Sequence, residues 1–324
     1  MTIRNLDDLL HPPSVAVVGA ASERGVAILR NLHAGGFAGP VRAVDAAAVE
    51  VDGTPTVRSI ADLDARPGLA VLAGPIAEAP ARIAELGAVG WRMALVVSPD
   101  DRRDPALGQA MLDAARPHLL RIIGPGSFGI VAPPARLDAS LSPVAVTEGG
   151  IALLSESASI ASALLDWAAG HAIGFSAVLT LGGRVDVGLS DCLDLLAGDP
   201  RTRAILDYME SIPDPRRFLS AARATARLKP VIALKAGGSP QAAAAAETHT
   251  GRHPARRCSS RSTPARAASG GSARRSRRRR RAPRGRAPAG CPPAAAPPRS
   301  PRRCPRAGRC GSRPPRPPGP SRRP

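Results

Sequence analysis

From Gly251 to Pro324 the 324-residue chain contains no Asp, Glu, Lys, Ile, Leu, Val, Met, Phe, Tyr or Trp. Without such side chains no hydrophobic core can be built, so this stretch is expected to be a disordered Arg- and Pro-rich tail. It holds 23 of the 45 basic residues, all Arg, and leaves residues 1–250 with 22 basic against 26 acidic side chains, a net of −4. The overall charge of +19 is therefore a property of the tail alone. Four of the five Cys also lie in the tail, at irregular spacings without a C-x-x-C, which argues against zinc. Cys192 is the single Cys of the body, so no disulfide framework is possible there and a reducing cytoplasm is the expected location. The opening "MTIRNLDDLL" has acids where a secretory signal needs an apolar run. No apolar run approaches the roughly 20 residues that span a bilayer.

What is present is a regular alternation. "SVAVVGA" (14–20), "VRAV" (41–44), "LAVLAG" (69–74), "MALVVS" (93–98) and "LLRIIG" (119–124) have the character of buried parallel strands. Amphipathic helical patterns lie between them at 26–36, 78–90 and 106–117. A Pro- and Gly-containing stretch, 131–150, is expected to be a linker. The rhythm then resumes through "GIALLS" (150–155), "FSAVLTLG" (175–182), "RAILDYM" (203–209) and "PVIALKAG" (230–237). The prediction is an α/β protein with two doubly wound units: domains over 1–135 and 136–250, followed by the tail at 251–324.

In "VAVVGAASERG", Gly19 ends a strand and Gly25 opens a helix, a place where helix N–H groups favour phosphate. The spacing is not G-x-G-x-x-G, and the same glycines would serve a plain strand-to-helix turn. Asp45, ending the second strand, suits a ribose hydroxyl of NAD or a solvated strand end. From these residues alone, NAD and coenzyme A (CoA) are not separable.

The later motifs separate them. "IGFSAVLTLGGRVDVGLSDCLDLLAGDPRTRAILDYMESI", "RRFLSAARATARLKPVIALKAG" and "THTG", with "PPSVAVVGAAS" and "IGPGSFG" upstream, resemble the NDP-forming acyl-CoA synthetases. These are relatives of the succinyl-CoA synthetase alpha subunit, and the resemblance extends to the synthetase part of bacterial fusions with a GNAT-type acetyltransferase. It covers roughly residues 1–251. It implies a Rossmann-like CoA-binding domain followed by a flavodoxin-like domain, with an ATP-grasp partner supplying ATP/ADP and Mg. The implied substrates are acyl-CoA and a short carboxylic acid. The resemblance places a phosphohistidine at His249 and its orienting acid at Glu210. It assigns CoA contacts to Gly19, Ala20, Ser22, Gly25, Gly124 and Pro125, and phosphate contacts to Ser155, Ser157, Ala158 and Ser159. An imidazole suits a phosphoryl relay, because one ring nitrogen accepts and releases the group near neutral pH. No resident metal is expected in this chain.

Several positions depart from the family pattern. Ser155-Glu156-Ser157-Ala158 replaces S-Q-S-G, adding charge and a methyl near a phosphate site. Gly126 replaces Asn, Gly183 replaces Asn or Asp, and "VDAAA" replaces V-N-P, which would set Asp45 against a CoA phosphate. These departures make a non-catalytic CoA- or nucleotide-sensing module the alternative to a ligase. An NAD-dependent oxidoreductase is a weaker one, resting on Gly19 and Asp45 alone. The tail, with "RRSRRRRR" at 274–281 and no aromatic, would bind nucleic acid only non-specifically. Apart from His253, every tail residue type has G or C at the second codon position, the pattern of a slipped reading frame in a GC-rich gene.

Overall fold

The computed structural model describes residues 6–99 and 104–237. His249 and the tail at 251–324 lie outside the described residues. The first sheet is built from β1 (Val15–Val18), β2 (Val41–Val44), β3 (Glu50–Val51), β4 (Thr54–Val57), β5 (Leu69–Leu72), β6 (Met93–Val96) and β7 (Arg121–Ile123). Its order is β3-β4-β2-β1-β5-β6-β7, parallel throughout except for the short β3. Strands β1, β5 and β6 are buried at every position, as their unbroken apolar runs require when helices cover both faces. The helices are α1 (Glu23–Gly35), α2 (Ala79–Ala88) and α3 (Pro105–Ala115).

Local chemistry sets the helix ends. The Ser22 side chain accepts from Gly25 N–H to start α1, and Gly36 ends it in a left-handed conformation. Asp104 caps α3 with Pro105 in the first helical position, where a missing N–H costs nothing. Ile28, Leu29 and Leu32 form the buried stripe of α1. Asp52 and Gly53, both at positive φ, turn the β3–β4 hairpin; the Asp-Gly pair is a recognisable hairpin signal in the sequence.

The second sheet comprises β8 (Gly129–Ala132), β9 (Leu137–Ser140), β10 (Glu148–Ser155), β11 (Phe175–Thr180), β12 (Ala204–Met209) and β13 (Val231–Lys235). Its order is β13-β12-β10-β11-β8-β9, with β10 to β13 parallel and the β8–β9 hairpin antiparallel. Helices α4 (Ala158–Gly170), α5 (Leu189–Gly198) and α6 (Pro215–Ala226) complete it.

The stretch expected as a linker, 131–150, is not one. It carries the end of β8, all of β9 and the start of β10. Pro133 and Pro134, which suggested a linker, form a single tight turn closed by Arg136 at positive φ. The hairpin packs on α1, where Asn31 Nδ2 donates to the carbonyls of Ser140 (2.8 Å) and Ser142 (3.0 Å). One core cluster accordingly runs through both sheets, from Val15, Leu29 and Leu32 to Ile130, Leu154 and Ile205. A polar clasp joins the halves at the outer edge of the first sheet. Arg121 Nε donates to Asp186 at 2.8 Å, and the same carboxylate accepts from Ile122 N–H at 3.0 Å.

Candidate functional site

Both sheets change direction after their first parallel strand, and ligands of open α/β sheets bind beyond the carboxyl ends of strands at such a point. In the first sheet this point lies between β1 and β5. A cavity of about 280 Å³ opens there, lined among others by Gly19, Asp45, Arg58, Gly74, Arg82 and Ser98. Gly19 sits at φ +74°, and a Cβ on it would stand 2.6 Å from the Gly74 nitrogen, so only glycine lets the ends of β1 and β5 come together.

The structure brings Gly19, Ala20, Ser22 and Gly25 into one turn, but the turn satisfies its own amides. Gly19 and Ala20 N–H both donate to the Val44 carbonyl, Ser22 N–H to Gly19, and Gly25 N–H to Ser22 Oγ. Ser22 Oγ also donates to the carbonyls of Gly19 and Ala73. Asp45 closes the turn: one carboxylate oxygen accepts from Ala21 N–H at 3.0 Å, the other from Ala47 (3.0 Å) and Ala48 (3.2 Å). Burial alone would raise the Asp45 carboxyl, but these three donors outweigh it and hold the group below its ordinary value. Glu23 and Arg24 N–H, at the start of α1, have no partner among the described residues.

A row of strand ends continues from this cavity. Ser98 Oγ donates to the Gly74 carbonyl, and Gly126 N–H to the Ser98 carbonyl at 2.9 Å. Gly124 and Pro125 form the next loop, joined by a cis peptide bond. Gly126 lies at φ +69°, a left-handed conformation that Gly and Asn both enter readily. The replacement of the family's Asn there is conformationally neutral. The loop meets the second domain directly: Gly183 N–H donates to the Pro125 carbonyl and Val185 N–H to the Gly124 carbonyl. Gly124 and Pro125 thus stand where the carboxyl ends of the two sheets meet.

The second switch point, between β10 and β12, assembles the other expected residues. Ser155 ends β10, Ser157 caps α4, and Ala158 and Ser159 are exposed in its first turn. The Ser155 hydroxyl donates to the Ser157 carbonyl and accepts from its N–H, while Ser157 Oγ accepts from Ile160 N–H. The Ala158 and Ser159 N–H groups have no partner among the described residues and point from a helix start, the preferred geometry for an anion. Glu210 follows β12 on the other side of the crevice. His249 lies outside the described residues.

Glu156 behaves differently from its expected role as a charge beside the phosphate site. Its side chain turns inward, is fully buried, and pairs with Arg184. Its second oxygen accepts from Glu210 N–H (2.8 Å) and Ser211 N–H (3.1 Å), tying the end of β12 to the start of α4. Arg184 in turn donates to the Ser211 carbonyl and hydroxyl at 3.0 and 2.6 Å. Sequence reasoning did not find Arg58, Arg184 or the inward turn of Glu156, since nothing in local spacing reports which way a side chain faces. Gly74 and Ser98 were also missed, although both end apolar runs and so mark strand termini.

Residues 13–133 match the family model for a CoA binding domain, and residues 148–258 match that for a succinyl-CoA ligase like flavodoxin domain. The chain belongs to the NDP-forming acyl-CoA synthetase family. It is 34% identical over 258 residues to the acetate–CoA ligase [ADP-forming] I subunit alpha of Pyrococcus furiosus, covering 76% of this chain and 56% of that one. It is 33% identical to acetate–CoA ligase [ADP-forming] I of Archaeoglobus fulgidus, covering 76% of this chain and 37% of that relative. Among solved structures, the dinucleotide forming acetyl-coenzyme A synthetase 1 of Ca. Korarchaeum cryptofilum, in complex with phosphate and ADP, superposes with a TM-score of 0.74 at 31% identity. That superposition covers 77% of this chain and 55% of the other. The chain therefore spans about half, or less, of the length of these relatives. In synthetase terms, the first sheet is the CoA binding domain and the strand-end row joins it to the ligase domain. Among the described residues no helix is long and apolar enough to cross a membrane.

Proposed function

We propose that this chain is the CoA-binding part of an NDP-forming acyl-CoA ligase of the acetate type, working through a phosphohistidine at His249. The observation that carries the proposal is the meeting of two strand-end crevices at Gly124–Pro125. A CoA held at the first crevice has its thiol end directed along that row toward Ser155–Ser159 and Glu210. In the breakdown direction, inorganic phosphate attacks the acyl carbonyl, and the thiolate of CoA leaves. The acyl phosphate then gives its phosphoryl group to an imidazole nitrogen of His249, releasing the carboxylic acid. The Glu210 carboxylate holds the other ring N–H, which fixes the tautomer and supports the developing positive charge. The Ala158 and Ser159 amides at the start of α4 hold the phosphoryl oxygens. An ATP-grasp partner then presents NDP, with Mg, to the phosphohistidine. The regions matched, 13–133 and 148–258, are the CoA binding and flavodoxin-like domains, so turnover is expected to need the ATP-grasp partner.

A second reading, a CoA- or nucleotide-sensing module without catalysis, is favoured by one observation: the amides of Gly19, Ala20, Ala21, Ser22 and Gly25 are already bonded within the fold, leaving, among the described residues, only those of Glu23 and Arg24 at that turn. The NAD reading is weakened because the Asp45 carboxylate is occupied by three backbone donors. Supplying the chain with an ATP-grasp subunit from a relative and radiolabelled ATP tests the proposal. Acid-labile label is expected on the chain and lost in His249→Ala. Label that survives His249→Ala refutes the residue assignment. CoA binding with no label under any condition favours the sensing module.

A further inference from the structure

We propose that Arg58 binds a phosphate carried on the ribose of the nucleotide ligand, so that the first crevice selects CoA, with its 3′-phosphate, over the 3′-dephospho form. This inference rests on the reading of the first crevice as a CoA site. Its starting point is which polar groups of the cavity are already committed. Asp45 is spent on the amides of Ala21, Ala47 and Ala48. Arg82 is paired with Glu78 and Glu85, each at 3.1 Å. The Ser98 hydroxyl is bonded to the Gly74 carbonyl. Arg58 differs: it lines the same cavity, its residue is exposed, and it makes no hydrogen bond or ion pair with any described residue.

Its position gives the uncommitted cation a meaning. Arg58 directly follows β4, which pairs with β2 on the side away from β1. A nucleotide with its diphosphate at the start of α1 runs outward over the end of β2, bringing its ribose toward β4. In dinucleotide-binding sheets an acid at the end of the second strand takes the ribose hydroxyls, and an Arg nearby accommodates a ribose phosphate. Here the acid in that place, Asp45, is turned into the protein's own backbone, and the Arg is what remains. A guanidinium fork matches a phosphate with two parallel N–H···O bonds, and its charge offsets the Asp45 carboxylate that lines the same cavity. The bland alternative is a solvated surface Arg without a ligand. The two differ in whether the protein distinguishes ligands that differ by one phosphate.

The test titrates the full-length chain and its Arg58→Ala and Arg58→Lys variants calorimetrically with CoA and with 3′-dephospho-CoA. The Arg-rich tail attracts both polyanions, but it is common to all three proteins, so the change in the CoA to dephospho-CoA affinity ratio isolates Arg58. Wild type is expected to prefer CoA by about tenfold more than Arg58→Ala does, the lower end for a charge-assisted hydrogen bond at an open site. Arg58→Lys should fall between them, keeping charge without the fork. Because Arg58 is exposed and unpaired among described residues, the substitutions should leave unfolding unchanged. Equal ratios in wild type and Arg58→Ala overturn the inference while leaving the CoA site standing. Binding of neither ligand by wild type overturns both.

Discussion

Asp207 should make the protein less stable as the pH rises from acid to neutral. It lies in the middle of β12, fully buried, with both carboxylate oxygens lacking a hydrogen-bond partner among the described residues. Desolvation raises its pKa from 3.8 to about 7; the nearby Glu156 charge adds to the rise, and Arg184 opposes it. Below 3.8 the carboxyl is protonated in folded and unfolded chains alike, and it contributes no pH dependence. Between 3.8 and about 7 the unfolded chain has lost the proton while the folded chain keeps it, so stability falls as pH rises. Above about 7 the whole cost is present. A displacement of about three pH units at 1.36 kcal/mol each gives roughly 4 kcal/mol, an upper figure because water entry and local relaxation reduce it. Asn is the right replacement, since it has the shape and buried polarity of the protonated acid but cannot ionise. In urea unfolding, Asp207→Asn should match wild type near pH 4 and exceed it by about 2–4 kcal/mol at pH 8. The reasoning is refuted if wild-type stability lacks this downward component relative to Asp207→Asn between pH 4 and 8. It is refuted equally if Asp207→Asn shifts stability by the same amount at both ends of that range.

Two further outcomes follow from the clasp and the first turn. Arg121→Ala leaves the half-buried Asp186 carboxylate without its cation, while the buried Asp191 keeps Arg217, so unfolding should be easier by about 2 kcal/mol, with faster proteolysis at 183–188 as the direct readout. Gly19→Ala sets a methyl 2.6 Å from the Gly74 nitrogen on a residue held at φ +74°, and should cost at least about 2 kcal/mol and abolish CoA binding; calorimetry and denaturant unfolding measured together check both.

Most of the architecture was legible because it depends on composition along single segments. The runs at β1, β5 and β6 are apolar throughout, as strands buried on both faces require, and β10 and β11 carry mostly apolar runs that end in a hydroxyl residue. The β8–β9 hairpin was not legible: strands of four residues around Pro133-Pro134 carry too little pattern to outweigh the signal of two prolines. That hairpin belongs to the second sheet yet packs on α1 of the first, a non-local contact that leaves no trace in either segment.

The candidate site divides in the same way. Gly19, Ser155 and Glu210 were placed at strand ends because such ends are visible in sequence and because the motifs around them resemble a family. What those residues do was less visible, since it depends on partners far along the chain. Glu156 shows the difference most clearly. In sequence it is an added negative charge beside a phosphate site, and so a reason to expect a damaged enzyme. In the folded chain Arg184, 28 positions away, neutralises it, and the carboxylate holds the backbone of Glu210 and Ser211 in place. A carboxylate–guanidinium pair at this buried position carries no net charge toward the crevice. The substitution that seemed to argue most strongly against phosphate binding is thus compatible with it. The first turn offers a phosphate less than its motif suggests: Asp45 and Ser22 occupy the Ala21 and Gly25 amides, which leaves the Glu23 and Arg24 N–H groups at the start of α1 to hold it.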